Sequence, residues 1–263
     1  MPSLEKVPIE DEFHDILRKA MRGQGLTDEV AARKAGLSTE TVTSLCEGSL
    51  VDETSLPILG KALGLEPNSL VRCAMKLYRP RVSAPDGLEC FNTSYHSGMT
   101  VNSFVVWDPK TRDGAVFDTG TDAFPLLDWI KEQEISVKDL FLTHTHPDHL
   151  AEVDAISGRL GGIPVRCNAE EPHPNTELFQ EGDTFAIGGL RVDTRTTKGH
   201  SPGGTTYVIE GLDGPLAIVG DALFAGSMGG GMVSFQDALR TNRDHIFTLP
   251  DEAILCPGHG PLT

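Results

Sequence analysis

The stretch Phe141-Leu-Thr-His144-Thr-His146-Pro-Asp148-His149 decides how this chain is read. Three of the nine histidines fall within six residues, with an acid among them. An apolar run, residues 140–142, leads straight into it, as a buried strand leads into a loop. Residues two apart on extended chain share a face, so His144 and His146 can point at one ion. Pro147 ends the strand and turns the chain, which lets Asp148 and His149 approach from another direction. Neutral imidazoles and carboxylates are the ligands of zinc and of comparable first-row ions.

Three later positions repeat this logic, each placing a potential ligand beside glycine after an apolar or β-rich run. They are Gly199-His200 after residues 190–196, Gly220-Asp221 after residues 216–219, and Gly258-His259 after residues 253–255. Strand ends gathered along one edge of a sheet would bring these residues to the first cluster. Further strand patterns occupy residues 101–107, 115–117, 163–166 and 205–209, interrupted by helical patterns at 124–134, 149–160 and 235–247. Such alternation predicts a sheet-based α/β core covered by helices.

In this order and context the seven residues resemble the metallo-β-lactamase superfamily: His144-x-His146-x-Asp148-His149, then His200, Asp221 and His259. The resemblance spans about residues 88–263 and implies an αββα sandwich with metals at one edge. Asp118-Thr-Gly120 also matches, as an acid that supports the ligands from behind. The phrases GHSPGGTTYVI, GDALFAGSMGGG and CPGHGP are similar to the glyoxalase II branch more than to the true β-lactamases. The resemblance assigns His144, His146 and His200 to one metal and Asp148, His149 and His259 to the other. Asp221 bridges them together with a water or hydroxide. The cofactors it implies are two divalent transition-metal ions, zinc first, with iron or manganese as alternatives.

Two such ions hold hydroxide at neutral pH and clamp an attacking and a leaving oxygen. The expected activity is hydrolysis of a thioester, lactone or other ester of a small molecule, with Asp148 and Asp221 as the catalytic acids. The stretch 227–231, Ser-Met-Gly-Gly-Gly, lacks the basic residue common in glyoxalase-like enzymes, which counts against a glutathione thioester as the specific substrate. The glycine run is expected as a mobile loop at the site rim. Tyr95 and His96 are read as surface-loop residues, Cys256 as core, and His14, His173 and His245 as ordinary. Alternatives are a DNA-binding regulator with a metal-binding sensor and a single-iron sulfur dioxygenase of the same superfamily.

Upstream the pattern changes. Residues 10–78 read as five short helices, residues 79–87 as a linker rich in Pro, Gly and Ser, and residues 88–263 as the catalytic domain. Residues 26–48, LTDEVAARKAGLSTETVTSLCEG, place two helices about a turn at Gly36-Leu37. With LPILGKALGLEPNSL they resemble the five-helix, helix-turn-helix DNA-binding domain of the Cro and phage-repressor family. The presumed reading helix, from Ser38 to Cys46, offers Ser38, Thr39, Glu40, Thr41, Thr43 and Ser44, without the Arg or Lys that commonly reads guanine. Residues 1–80 hold 10 basic and 12 acidic residues. Docking, lid formation or homo-oligomer formation is therefore expected of the helices before DNA binding. Every expected ligand lies between His144 and His259, so deletion of residues 1–80 is expected to leave a metal site.

Composition sets the outer limits. The 22 basic and 38 acidic residues of the 263 give a net charge of -16, which repels phosphate backbones and argues against nucleases and basic membrane-surface proteins. No apolar run approaches the roughly 20 residues that span a bilayer. Five cysteines, with no C-x-x-C pair, read as free thiols of a cytoplasmic protein rather than a disulfide framework.

Overall fold

The computed structural model describes residues 7–96 and 98–263. Five helices precede the first strand: α1 (Phe13–Gly23), α2 (Asp28–Ala35), α3 (Thr39–Cys46), α4 (Ser55–Ala62) and α5 (Pro67–Ala74). Side-chain caps set the starts of α2 and α3, Thr27 Oγ1 accepting from Val30 N and Ser38 Oγ from Thr41 N. Gly36 takes the left-handed conformation between α2 and α3, at φ 68°. These helices enclose their own core, including Leu17, Met21, Val42, Leu45, Leu56 and Leu59.

Eleven strands follow among the described residues, in two sheets. The six-stranded sheet runs in chain order from β1 (Leu88–Tyr95) through β2 (Met99–Trp107), β3 (Asp113–Phe117), β4 (Ser136–Phe141) and β5 (Val165–Asn168) to β6 (Glu177–Phe179). Its first three strands are antiparallel and the rest parallel. The five-stranded sheet has the order β11 (Ile254–Pro257), β10 (Leu216–Gly220), β9 (Thr205–Glu210), β8 (Leu190–Thr196) and β7 (Thr184–Ile187), with only β10 and β11 parallel.

Alternation along the strands makes the layers. Phe104, Phe117, Phe141, Val192, Tyr207, Ile209 and Ile218 fill the space between the sheets. The opposite-facing Val105, Val116 and Leu140 pack under α6 (Phe124–Glu132) and α8 (Val153–Arg159) through Leu126, Ile130 and Ile156. Ala217 and Val219 turn outward on the second sheet toward Ile246. The order helix, sheet, sheet, helix is the αββα sandwich.

Several element boundaries differ from the sequence reading. The pattern at 149–160 breaks into α7 (Pro147–Leu150) and α8, because Glu152 N donates to Thr119 Oγ1 between them. The helix at 235 runs as α9 (Phe235–Thr241) into a π-helical turn (Asn242–Ile246), where the Asn242 amide donates to Ala222 O. The strand patterns of the sequence do not include β1, β6 or β7. Residues 79–87 carry no regular structure, yet Val82 and Ala84 pack against the inter-sheet core.

Candidate metal centre

Each residue singled out by the sequence stands just past the C-terminal end of a strand, or on the turn that follows it. Beyond β4 the chain runs through His144 to His146, and Pro147 then opens α7, which lifts Asp148 and His149. His200 follows β8, Asp221 follows β10 at Gly220 (φ 50°), and His259 follows β11. The parallel register of β10 and β11, Gly220 opposite Pro257, sets Asp221 and His259 side by side.

The donor atoms form two groups: His144, His146, His200 and Asp221, and Asp148, His149 and His259. In the first, His146 Nδ1 lies 3.0 Å from both His144 Nε2 and His200 Nε2, and Asp221 Oδ2 is 3.3 Å from His200 Nε2. In the second, His259 Nε2 is 3.3 Å from Asp148 Oδ2, and His149 Nε2 is 3.8 Å from it. Asp221 stands between the groups, with Oδ1 3.4 Å from His149 Nε2 and Oδ2 3.3 Å from His259 Nε2.

For four of the five rings a partner on the far side fixes which nitrogen faces inward. Thr143 Oγ1 donates to Asp118 Oδ2 at 2.7 Å, so at 3.0 Å from His144 Nδ1 it accepts that ring's proton. His149 Nδ1 donates to Asp118 Oδ2 (2.8 Å), His200 Nδ1 to Gly230 O (3.0 Å) and His259 Nδ1 to Thr100 O (2.6 Å). In the neutral rings that can bind metal, four Nε2 lone pairs are thereby aimed at Asp221 and at one another. His149 Nε2 and Asp221 Oδ1 are buried with no hydrogen-bond partner. A buried imidazole nitrogen and a buried carboxylate oxygen left without hydrogen bonds fit a bound cation.

The spacing agrees. Nitrogen and oxygen donors about 2.0–2.1 Å from a tetrahedral ion stand about 3.3 Å apart, close to most of the separations above. Gly258 completes the space, since a Cβ there would overlap Asp221 Oδ1 and stand 2.6 Å from His149 Cε1. The cluster is compatible with divalent metal binding.

Charge is arranged to the same end. Burial and the neighbouring His149 hold His144 well below the ordinary histidine range. Burial opposes charge on His149 and His259 as well. The carboxylates of Asp118 and Asp221 outweigh it at His149, which is pushed up to about 10, and Asp221 and Asp148 push His259 up to about 11. Burial would raise Asp221, but His149 and His259 hold it well below the carboxylate range.

Sequence reasoning passed over three residues here. Glu171 accepts from Thr145 N and Oγ1 and from Gly203 N, tying the His144–His146 loop to the His200 loop. Buried Asn102 donates to Pro257 O and Gly260 O on either side of His259. Thr143, inside the deciding stretch, is the hydroxyl behind His144. No local pattern marks Glu171 or Asn102, because both act on backbone groups distant in sequence.

Tyr95, the last residue of β1, and His96 hold their rings tilted against each other, with His96 exposed. Cys256 is fully buried between the sheets. The glycine run borders the site, where it packs on His200 and Asp221.

A model of the metallo-beta-lactamase superfamily matches residues 97–259. A probable metallo-hydrolase of Bacillus subtilis, YqgX, is 30% identical over 179 residues, covering 56% of this chain and 80% of that protein. The hydroxyacylglutathione hydrolase GloC of Haemophilus influenzae is 25% identical, over 62% of this chain and 86% of that protein. Among solved structures, the B3 metallo-beta-lactamase BLEG-1 superposes with a TM-score of 0.58 at 27% identity, covering 67% of this chain and 93% of that one.

Proposed function

Because this chain belongs to the metallo-β-lactamase superfamily and is a hydrolase of that fold, we propose that it cleaves a thioester, lactone or other small-molecule ester. The reaction uses two divalent ions, zinc in the first instance. His144, His146 and His200 would hold one and Asp148, His149 and His259 the other, with Asp221 standing between the two donor groups. The observation that carries the reading is the convergence of seven donors, four of whose rings are fixed from behind by Thr143, Asp118, Gly230 and Thr100. Relatives named as hydroxyacylglutathione hydrolases support a thioester first.

When bound, the ions supply Lewis acidity to the acyl carbonyl and activate water at neutral pH. The chain's residues do the rest. Asp148 is already ionised before metal binds, since burial is outweighed by its hydrogen bond to His259 and by the charges of His149 and His259. It orients the attacking water and takes its proton, which then passes to the departing thiolate or alkoxide. Asp118 and Thr143 hold the rings still while charge develops. No serine or cysteine nucleophile is needed.

The helices are read as a docking or dimer-forming unit in the helix-turn-helix arrangement. Ser38, Thr39 and Glu40 are exposed at the start of α3, and none is a cation. No helix among the described residues is long and apolar enough to cross a membrane. The five free thiols suit a reducing compartment such as the cytoplasm.

Elemental analysis of the purified chain is expected to give close to two transition-metal ions. The same sample is to be screened against thioesters, lactones, β-lactams and phosphodiesters, with turnover expected on a thioester or lactone. A folded chain with no metal and no turnover overturns the reading.

Metal uptake also has an expected pH dependence. In chelator-treated protein His149 and His259 carry protons at neutral pH, being raised to about 10 and about 11. Both must leave when metal binds, so affinity rises with pH by roughly tenfold per unit for each proton between pH 6 and 8. Competition titrations with a chelator measure this slope. For the metal-free fold the sign reverses: the stability these two imidazolium groups supply is fully present below about pH 6.5 and is lost as pH rises toward about 10.

A further inference from the structure

The segment carrying Asp11 and α1 belongs to the helices, yet it lies against the edge where the donors gather. Gly260, next to His259, faces the backbone of Glu10. Gly23, at the end of α1, is so close to Phe235 that a Cβ would overlap the ring. Between these two points Asp11 is 6% exposed, and its Oδ2 accepts from Lys19 Nζ and from Ser227 Oγ, both at 2.6 Å. Lys19 Nζ also donates to Met228 O at 3.1 Å and stands 5.1 Å from the centre of the Phe224 ring.

An ammonium has three protons, and a carboxylate, a carbonyl and a ring face are here to receive them. Lys19 is thus a fastener rather than a cation offered to substrate. The Phe224 and His259 rings meet edge to face, with their centres 5.7 Å apart. Met228 opens the glycine run, and two residues on, Gly230 O receives the Nδ1 proton of His200. Three successive glycines have wide backbone freedom and no side chains to anchor them. The run is held from outside, by Lys19 and Ser227 before it, and by Val233 N and Ser234 N donating to Gly199 O after it.

We propose that Lys19 and Asp11 are positioning residues that act through the 227–231 backbone to hold His200 in ligating orientation, so the helices form part of the metal site. This rests on His200 being a ligand, as in the function proposed above. It also sharpens the expectation that a chain lacking residues 1–80 keeps a metal site: the site is expected to persist with His200 held less firmly.

The test is zinc and cobalt(II) titration of the full chain, with cobalt absorption reporting the ligand geometry. Lys19→Met keeps the aliphatic stem and removes all three contacts. It is expected to weaken one of the two ions roughly tenfold to a hundredfold, with altered cobalt absorption, and to leave the other unchanged. Lys19→Arg is expected to recover most of the loss. Ser227→Ala removes one hydrogen bond to Asp11 and gives a smaller loss in the same direction, which keeps the test valid where Lys19→Met does not fold.

Arg18→Met breaks the Arg18–Asp28 pair within the helices. It is expected to lower the melting temperature without changing the cobalt absorption. A folded Lys19→Met chain with wild-type affinities and spectrum overturns the inference and leaves the proposed function standing. An Arg18→Met chain with the same metal loss also overturns it, by assigning the effect to general loosening. A wild-type chain that binds no metal overturns both.

Discussion

Asp148→Ala is expected to lower turnover by about 10²–10⁴-fold while the chain stays folded. Asp148 serves twice in the proposed reaction, as one of three donors in its group and as the acceptor of the water's proton. Its carboxylate faces His259 at 3.3 Å and His149 at 3.8 Å, so removing it leaves the inward Nε2 atoms of the two imidazoles facing a single carboxylate, Asp221. The fall should appear in kcat at saturating substrate, because the lost interaction belongs to the transition state. Metal content should drop toward one ion per chain. Steady-state kinetics and elemental analysis on one preparation check both, and a rise in KM with kcat unchanged contradicts the assigned role.

Gly258→Ala is expected to be nearly as severe, although it removes no functional group. The new methyl would overlap Asp221 Oδ1 and press on His149 Cε1. The backbone cannot retreat, since Gly258 N donates to Gly220 O at 2.9 Å and Asn102 N donates to Gly258 O at 2.8 Å. The donors must move instead, and a displacement of about 1 Å at a reacting centre can cost about 10²-fold in rate. Crowding adds a stability loss of about 1–3 kcal/mol. Thermal unfolding and metal analysis of the variant separate the two effects. A Gly258→Ala chain with full metal content and full activity would show that the glycine is not needed for close approach.

The donors were legible because each stands where an apolar run stops, a mark that survives without knowledge of the fold. His144 and Asp221 follow stretches that are fully buried in the sheets, His200 follows a strand that buries every second side chain, and His259 follows one that is half-buried at its start. The αββα layering was legible through the same runs and through the family resemblance.

Strands β6 and β7 were not, being three and four residues long with half-exposed patterns. Strand β1 is mostly polar or partly exposed, and it is held by eight register pairs with β2 rather than by its own sequence. The break between α7 and α8 depends on Thr119, more than thirty residues upstream. Glu171 and the Asp11–Lys19 pair escaped notice for the same reason: their partners are groups brought near only by folding.

The placement of the donors also bears on how the molecule comes apart. His144 and His149 belong to the end of the six-stranded sheet, whereas His200, Asp221 and His259 belong to the five-stranded one. Each donor group therefore draws on both sheets, from His144 at one end of the sequence span to His259 at the other. Ions seated there would act as cross-links between the halves of the sandwich, and closing so long a loop would remove much of the freedom of the unfolded chain. Chelation should thus lower the unfolding temperature of the whole sandwich in one cooperative step rather than loosen a rim loop. Refolding should likewise wait on the pairing of the two sheets before metal can be captured.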